Sequence, residues 1–178
     1  MLSTIAALAL AAMAAGSPVQ LEAREHDDFR NEMLAAHNWY RSQHSAAPLN
    51  WDNGLADYAL DWARRCSENP RHSGGPHGEN IAWGTGWSSS YGWANLWGNE
   101  RTHFDFNNPH WDPPTGHFTQ LVWKSTTKVG CGWAHCSYGD NIVCSYDPAG
   151  NVDGDDNRYW RENVGRQTSG NLDDEFQG

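Results

Sequence analysis

Basic residues are scarce in this 178-residue chain: 12 Lys and Arg face 22 Asp and Glu, for a formal net charge of −10. A surface so negative repels phosphate backbones, which argues against nucleic acid as a partner, and anionic membranes are disfavoured for the same reason. No apolar run reaches the roughly 20 residues that a membrane-spanning helix requires, so an integral membrane protein is not expected. The sequence has no His-Glu-x-x-His and no Gly-x-Ser-x-Gly, the marks of zincins and of α/β-hydrolase serine enzymes. It has no Asn-x-Ser/Thr, so N-glycosylation is not expected. Cys-x-x-Cys is also missing. The last three of the four cysteines lie five and eight residues apart, which does not suit a zinc-thiolate site.

What is present begins with an Ala-rich apolar run from Ile5 to Ala15, followed by small residues and Pro18. This reads as a secretory signal over residues 1–16, with residues 17–25 as a pro-segment or linker. Behind such a leader, Cys66, Cys131, Cys136 and Cys144 form an even set, which suggests two disulfides. Three pairings are possible, and spacing does not choose among them. With all four cysteines paired, no thiol nucleophile remains.

Periodicity predicts a first helix over residues 27–44, capped by Asp27 or Asp28, and a second one capped by Asp52. A third is expected after Ser88–Ser90, running to about residue 100, and a fourth from Thr115 to Lys124. Alternation then takes over: Val129, Cys131, Trp133 and His135 in one run and Ile142, Cys144 and Tyr146 in the next predict a hairpin with its turn at residues 137–141. Residues 166–178 are acidic and polar and read as a disordered tail. Helices followed by an antiparallel sheet indicate an α+β fold.

His72 and Glu79 fall in the loop after Cys66, Glu100 at the end of the third helix and His117 at the start of the fourth. Imidazoles and carboxylates in one place suit zinc, magnesium or another divalent ion. A lone histidine is more often a hydrogen-bonded core residue, and spacing alone does not separate the two. Eleven tryptophans are present, and Trp83, Trp87, Tyr91, Trp93 and Trp97 crowd one segment. Trp93 and Trp97, at helical spacing, are expected in the core. Trp83, Trp87 and Tyr91, among glycines and serines, are candidates for an exposed surface that takes a sterol, an acyl chain or a sugar face.

Gly116-His-Phe-Thr-Gln-Leu-Val-Trp-Lys-Ser-Thr126 and Ile142-Val-Cys-Ser-Tyr-Asp-Pro-Ala-Gly-Asn-Val152 match the two signatures of the CAP domain. That family joins cysteine-rich secretory proteins, antigen five and plant pathogenesis-related class 1 proteins. His37-Asn38, Leu49–Leu55, Gly78-Glu-Asn80 and Glu162-Asn-Val164 resemble its other elements. The resemblance implies a CAP domain over residues 26–165, an α-β-α sandwich with a central antiparallel sheet between helical layers. It implies a cleft tetrad of His72, Glu79, Glu100 and His117, with His72 and His117 as the metal pair and an ion that the fold does not require. By the same analogy Cys66 pairs with Cys136 and Cys131 with Cys144. The cysteine pair that plant relatives carry before the first signature is replaced here by Asn107-Asn-Pro-His-Trp111.

The sequence looks most like secreted fungal members of the family, which bind and export sterols and fatty acids. The expected function is therefore a secreted, extracellular and monomeric protein that binds sterols or fatty acids without catalysis, in lipid export, defence or host interaction. Trp83, Trp87 and Tyr91 are its candidate lipid contacts. The alternatives are a metal-dependent hydrolase using the His/Glu cleft and a cell-wall carbohydrate-binding module using the tryptophans.

Overall fold

The computed structural model describes residues 18–86, 89–154 and 156–178, with side chains from residue 27 onward. The leader expected over residues 1–16 lies outside the described residues. Helix α1 runs Pro18–Gln43, so the helix expected from Asp27 or Asp28 starts a segment earlier and neither aspartate caps it. The physical reason is that nothing after Pro18 breaks a helix, and proline is well suited to a first helical position because its missing N–H is not needed there.

Strand β1 is short, Asn50–Trp51, and leads into α2, Asn53–Ala63. Asp52 caps α2 as expected, accepting from the Leu55 N–H at 3.1 Å. Strand β2 is Gly78–Gly84 and α3 is Tyr91–Gly98, continued by a 3-10 turn over Asn99–Thr102. Ser90 precedes α3, but its side chain does not cap; its backbone N–H donates instead to the Glu32 carboxylate of α1, 2.8 Å away. Helix α4 is Gly116–Val122. Thr115 does not cap it either, because its hydroxyl donates back to the Asp112 carbonyl. Strands β3, Lys128–Cys136, and β4, Gly139–Asp147, form the hairpin, and α5, Arg158–Asn163, follows. The hairpin turn is tighter than expected, because Gly139, at φ 115°, already pairs with Cys136.

The sheet order is β1-β3-β4-β2, antiparallel except for the parallel β1–β3 pair. Its two faces bury different layers. On one, Ile81 and Val143 pack against Ala59 and Ala63 of α2. On the other, Ala82, Val129, Cys131, Ile142, Cys144 and Tyr146 meet α1, α3 and α4 through Met33, Tyr40, Trp93, Trp97, Phe118 and Leu121. This is the α-β-α sandwich. Gly130 and Gly132 let α2 lie close on the sheet: a Cβ at Gly132 would come 2.4 Å from the Leu60 Cα. Trp93 and Trp97 are core residues, as their spacing indicates.

Two disulfides close the structure, Cys66–Cys136 and Cys131–Cys144. The second joins directly opposed residues of the hairpin, and the first ties the chain just beyond α2 to the hairpin's end. Among the described residues, no helix is long and apolar enough to cross a membrane.

Arg41 is buried in the last turn of α1 and its guanidinium meets only carbonyls: Ala47, Leu121, Trp123 and Thr126, at 2.7–3.0 Å. Burial lowers its pKa to about 10, which still leaves it charged at neutral pH.

The segment expected to be a disordered tail is instead laid down on α1, α3 and the 3-10 turn. Arg101 donates to the carbonyls of Asn171, Leu172 and Asp174, and Asn95 bonds both the N–H and the C=O of Phe176. Composition correctly describes its exposed acidic side chains. The scaffold holds the backbone and, with it, the side chains of Arg166, Thr168, Glu175 and Phe176.

Candidate functional site

The site is built where β2 begins and α4 begins. A cleft of about 440 Å³ is lined there by His72, His77, Glu79, Asn80, Trp111 and His117, among others.

On one side, the His72 Nδ1 lies 2.9 Å from the Glu79 Oε1, which also accepts the Ser73 N–H at 2.8 Å. The Glu79 side chain is only 5% exposed, whereas that of His72 is 67% exposed. The hydrogen bond to Glu79 raises the His72 pKa, against a smaller opposing effect of burial. Ser73 is fastened in turn by the Tyr58 hydroxyl.

On the other side, the His117 Nδ1 lies 2.6 Å from the Glu100 Oε1, and the Glu100 Oε2 accepts the backbone N–H groups of His117 and Phe118, both at 3.0 Å. Glu100 thus supplies the N-terminal cap of α4 from outside its own sequence, where negative charge is favoured by the helix dipole. The His117 ring stacks on Trp97, 16° from parallel. Asn80 donates to the His117 carbonyl and to the Tyr146 hydroxyl, which bonds the His37 Nε2. A chain of core hydrogen bonds therefore ends at the cleft.

The four tetrad residues are brought together as two carboxylate–imidazole pairs. With each Nδ1 donating to a carboxylate, the Nε2 of each ring is the lone-pair nitrogen. Among the described residues, the buried Glu79 Oε2 and His77 Nδ1 have no hydrogen-bond partner. Among the described residues, the compact trio of metal-type donors is elsewhere, at His37, Cys131 and Cys144. Its cysteines are joined to each other and both His37 nitrogens are hydrogen-bonded, so it offers no free ligand atom.

Of the three candidate lipid contacts, Trp83 is 52% exposed at the end of β2. Tyr91 is half-buried and its ring meets Phe176 edge-on, with centroids 5.5 Å apart. Trp87 lies outside the described residues. Within β2, Glu79 and Trp83 are four residues apart, about 13 Å along a strand, so the cleft and the exposed indole are separate places.

Sequence reasoning missed Trp111 and His77. Trp111 is 46% exposed and roofs the cleft against Gly116, where a Cβ would come 2.7 Å from its ring. Its position in the segment that replaces the missing cysteine pair was the available signal.

The model of the Cysteine-rich secretory protein family matches residues 34–146. The chain is 46% identical over 133 residues to Protein PRY2 of Saccharomyces cerevisiae, covering 72% of this chain and 40% of that protein. It is 38% identical over 145 residues to Pathogenesis-related protein 1 of Arabidopsis thaliana, covering 80% of this chain and 88% of that one. This chain therefore spans less than half of the yeast relative and most of the plant one. Among solved structures, Hookworm Platelet Inhibitor superposes with a TM-score of 0.60 at 25% identity, covering 72% of this chain and 74% of that one.

Proposed function

This chain belongs to the cysteine-rich secretory protein family, and on that premise we propose that it acts outside the cell as a non-catalytic binder of a sterol or fatty acid. The observation that carries this reading is Trp83. A flat indole is held out at the end of a strand, followed by Gly84 and Gly86, both at a positive φ that glycine adopts without steric cost. Apolar area removed from water against such a ring is worth about 25 cal/mol per Å². The similarity to fungal relatives supports the same ligand class. The test is mass spectrometry of organic-soluble molecules co-purifying with the secreted protein, together with sterol and palmitate titrations. If neither class is carried or bound, the reading fails.

The cleft supports a second role beside the first. We infer that the Nε2 atoms of His72 and His117 hold a divalent cation, zinc or magnesium, completed by water. Carboxylates behind both imidazoles are the usual outer partners of metal-bound histidine, and the unpaired Glu79 Oε2 leaves negative charge beside the site. Calorimetric zinc titration of the wild type and of the His72→Ala, His117→Ala double variant tests it. Equal affinity would end the claim.

A further inference from the structure

The way residues 171–176 sit on the scaffold is a mode of peptide recognition. Most of the hydrogen bonds they receive go to main chain: Arg101 donates to three of their carbonyls, and the Asn95 side chain bonds the N–H and C=O of Phe176 at 3.2 and 2.9 Å. Two side chains are engaged: the Phe176 ring lies between Trp39 and Tyr91 at 6.2 and 5.5 Å, and the Glu175 carboxylate accepts from the Asn99 side-chain amide. Leu172, Asp173 and Glu175 are exposed.

Part of the receiving surface is held by contacts from outside that segment. The Arg101 guanidinium is fixed from behind by the Gln43 Oε1 at 2.6 Å and lies over the Tyr40 ring at 5.0 Å. Asn95 accepts the Tyr40 hydroxyl. With residues 171–176 in place, Arg101 and Asn95 are buried, at 1% and 6% exposure, and burial lowers the Arg101 pKa, opposed by Tyr40 and then by Asp174, Asp173 and Glu175 of the segment. Among the described residues no carboxylate is bonded to this buried guanidinium, which takes carbonyl acceptors instead, and the segment supplies three of them.

We propose that Trp39, Tyr91, Asn95 and Arg101 form a binding site for an acidic peptide carrying one aromatic residue, a site that the chain's own residues 171–176 occupy in cis. Main-chain hydrogen bonds provide the grip, one ring in an aromatic slot and the Glu175 carboxylate on Asn99 provide selectivity, and the acidic neighbours complement Arg101. The inference is independent of the lipid and metal readings, since none of its residues lines the cleft and the probe is a peptide.

The test uses the full chain and a synthetic peptide with the sequence of residues 171–178. In the wild type, the tethered segment competes at a high effective concentration and the free peptide binds weakly. Phe176→Ala removes the internal ring, and the wild-type peptide should then bind saturably, at least about tenfold tighter than to the unmodified chain. A peptide with its phenylalanine replaced by alanine should not bind. Hydrogen exchange of the amides of residues 171–177 is followed in parallel and should accelerate in Phe176→Ala and, as a separate check, in Asn95→Ser. Unchanged protection of these amides in both variants would overturn the proposal. So would a released segment with no peptide binding, or equal binding to the variant and the wild type.

Discussion

Glu100 holds His117 at two points, the ring Nδ1 at 2.6 Å and the backbone N–H at 3.0 Å, and accepts the N–H of Phe118 at 3.0 Å as well. One carboxylate thereby orients the imidazole and caps its helix. Glu100→Ala should lose both roles and cost roughly 1–3 kcal/mol, while His117→Ala leaves the cap in place and should cost less. Urea unfolding of the two variants checks the order. A larger loss in His117→Ala would mean that the ring, not the cap, dominates.

His37 and His44 are buried and each has its pKa lowered to about 4, chiefly by desolvation. Both are depressed below the unfolded value of about 6.5, so the unfolded chain binds more protons between those limits. Their contribution is complete above pH 6.5 and is lost as pH falls towards 4, by about 3 kcal/mol for each when fully expressed. Thermal unfolding between pH 7 and pH 4 should show stability falling throughout, with a shallower slope in His37→Gln. An unchanged slope would show that His37 does not titrate in this range.

The two disulfides should differ in effect. Cys66–Cys136 spans 70 residues and Cys131–Cys144 spans 13. On chain-entropy grounds their removal costs about 4 and about 3 kcal/mol respectively. Denaturant midpoints of Cys66→Ala/Cys136→Ala and Cys131→Ala/Cys144→Ala proteins test the ordering, and a reversal would show that strand cross-linking outweighs loop length.

Gly132→Ala should be costly. The added carbon would meet the backbone N of Leu60 at 2.5 Å and its Cα at 2.4 Å, atoms that cannot swing aside. Lifting α2 from the sheet should cost at least about 1–3 kcal/mol. Chemical denaturation reads the loss, and a neutral change would mean that the helix shifts freely.

Trp83→Ala should weaken sterol or palmitate binding while leaving zinc affinity and stability close to wild type, within about 0.5 kcal/mol for an exposed site. Fluorescence titration alongside thermal unfolding separates lost contact from lost structure. Normal lipid binding by this variant would move the contact elsewhere.

Much of this architecture is legible in the residues. The alternation after residue 128 marks the hairpin, Asp52 marks its helix, and Trp93 and Trp97 fall on a buried stripe. The cap of α4 is not legible, because its acceptor comes from residue 100, on another element. Thr115 and Ser90 look like caps but spend their hydrogen bonds elsewhere, which only tertiary contacts decide. The order of residues 166–178 is not legible, because polar composition does not report the carbonyls that Arg101 gathers or the slot that takes the Phe176 ring. The members of the tetrad are implied by the family resemblance, whereas their pairing as His72–Glu79 and Glu100–His117 and the cover provided by Trp111 emerge only in three dimensions.

Arg41 gives α4 a second boundary. Seven residues are too few for a helix to persist alone, yet this one has an anion at its amino end and a cation gathering the Leu121 and Trp123 carbonyls at its other end. Both charges belong to neighbouring elements and both match the polarity of the helix. The attitude of His117 is therefore inherited from residues 41 and 100. Substitutions along the open rim can retune what the cleft accepts without turning the imidazole, which makes this wall a stable platform for divergent specificity.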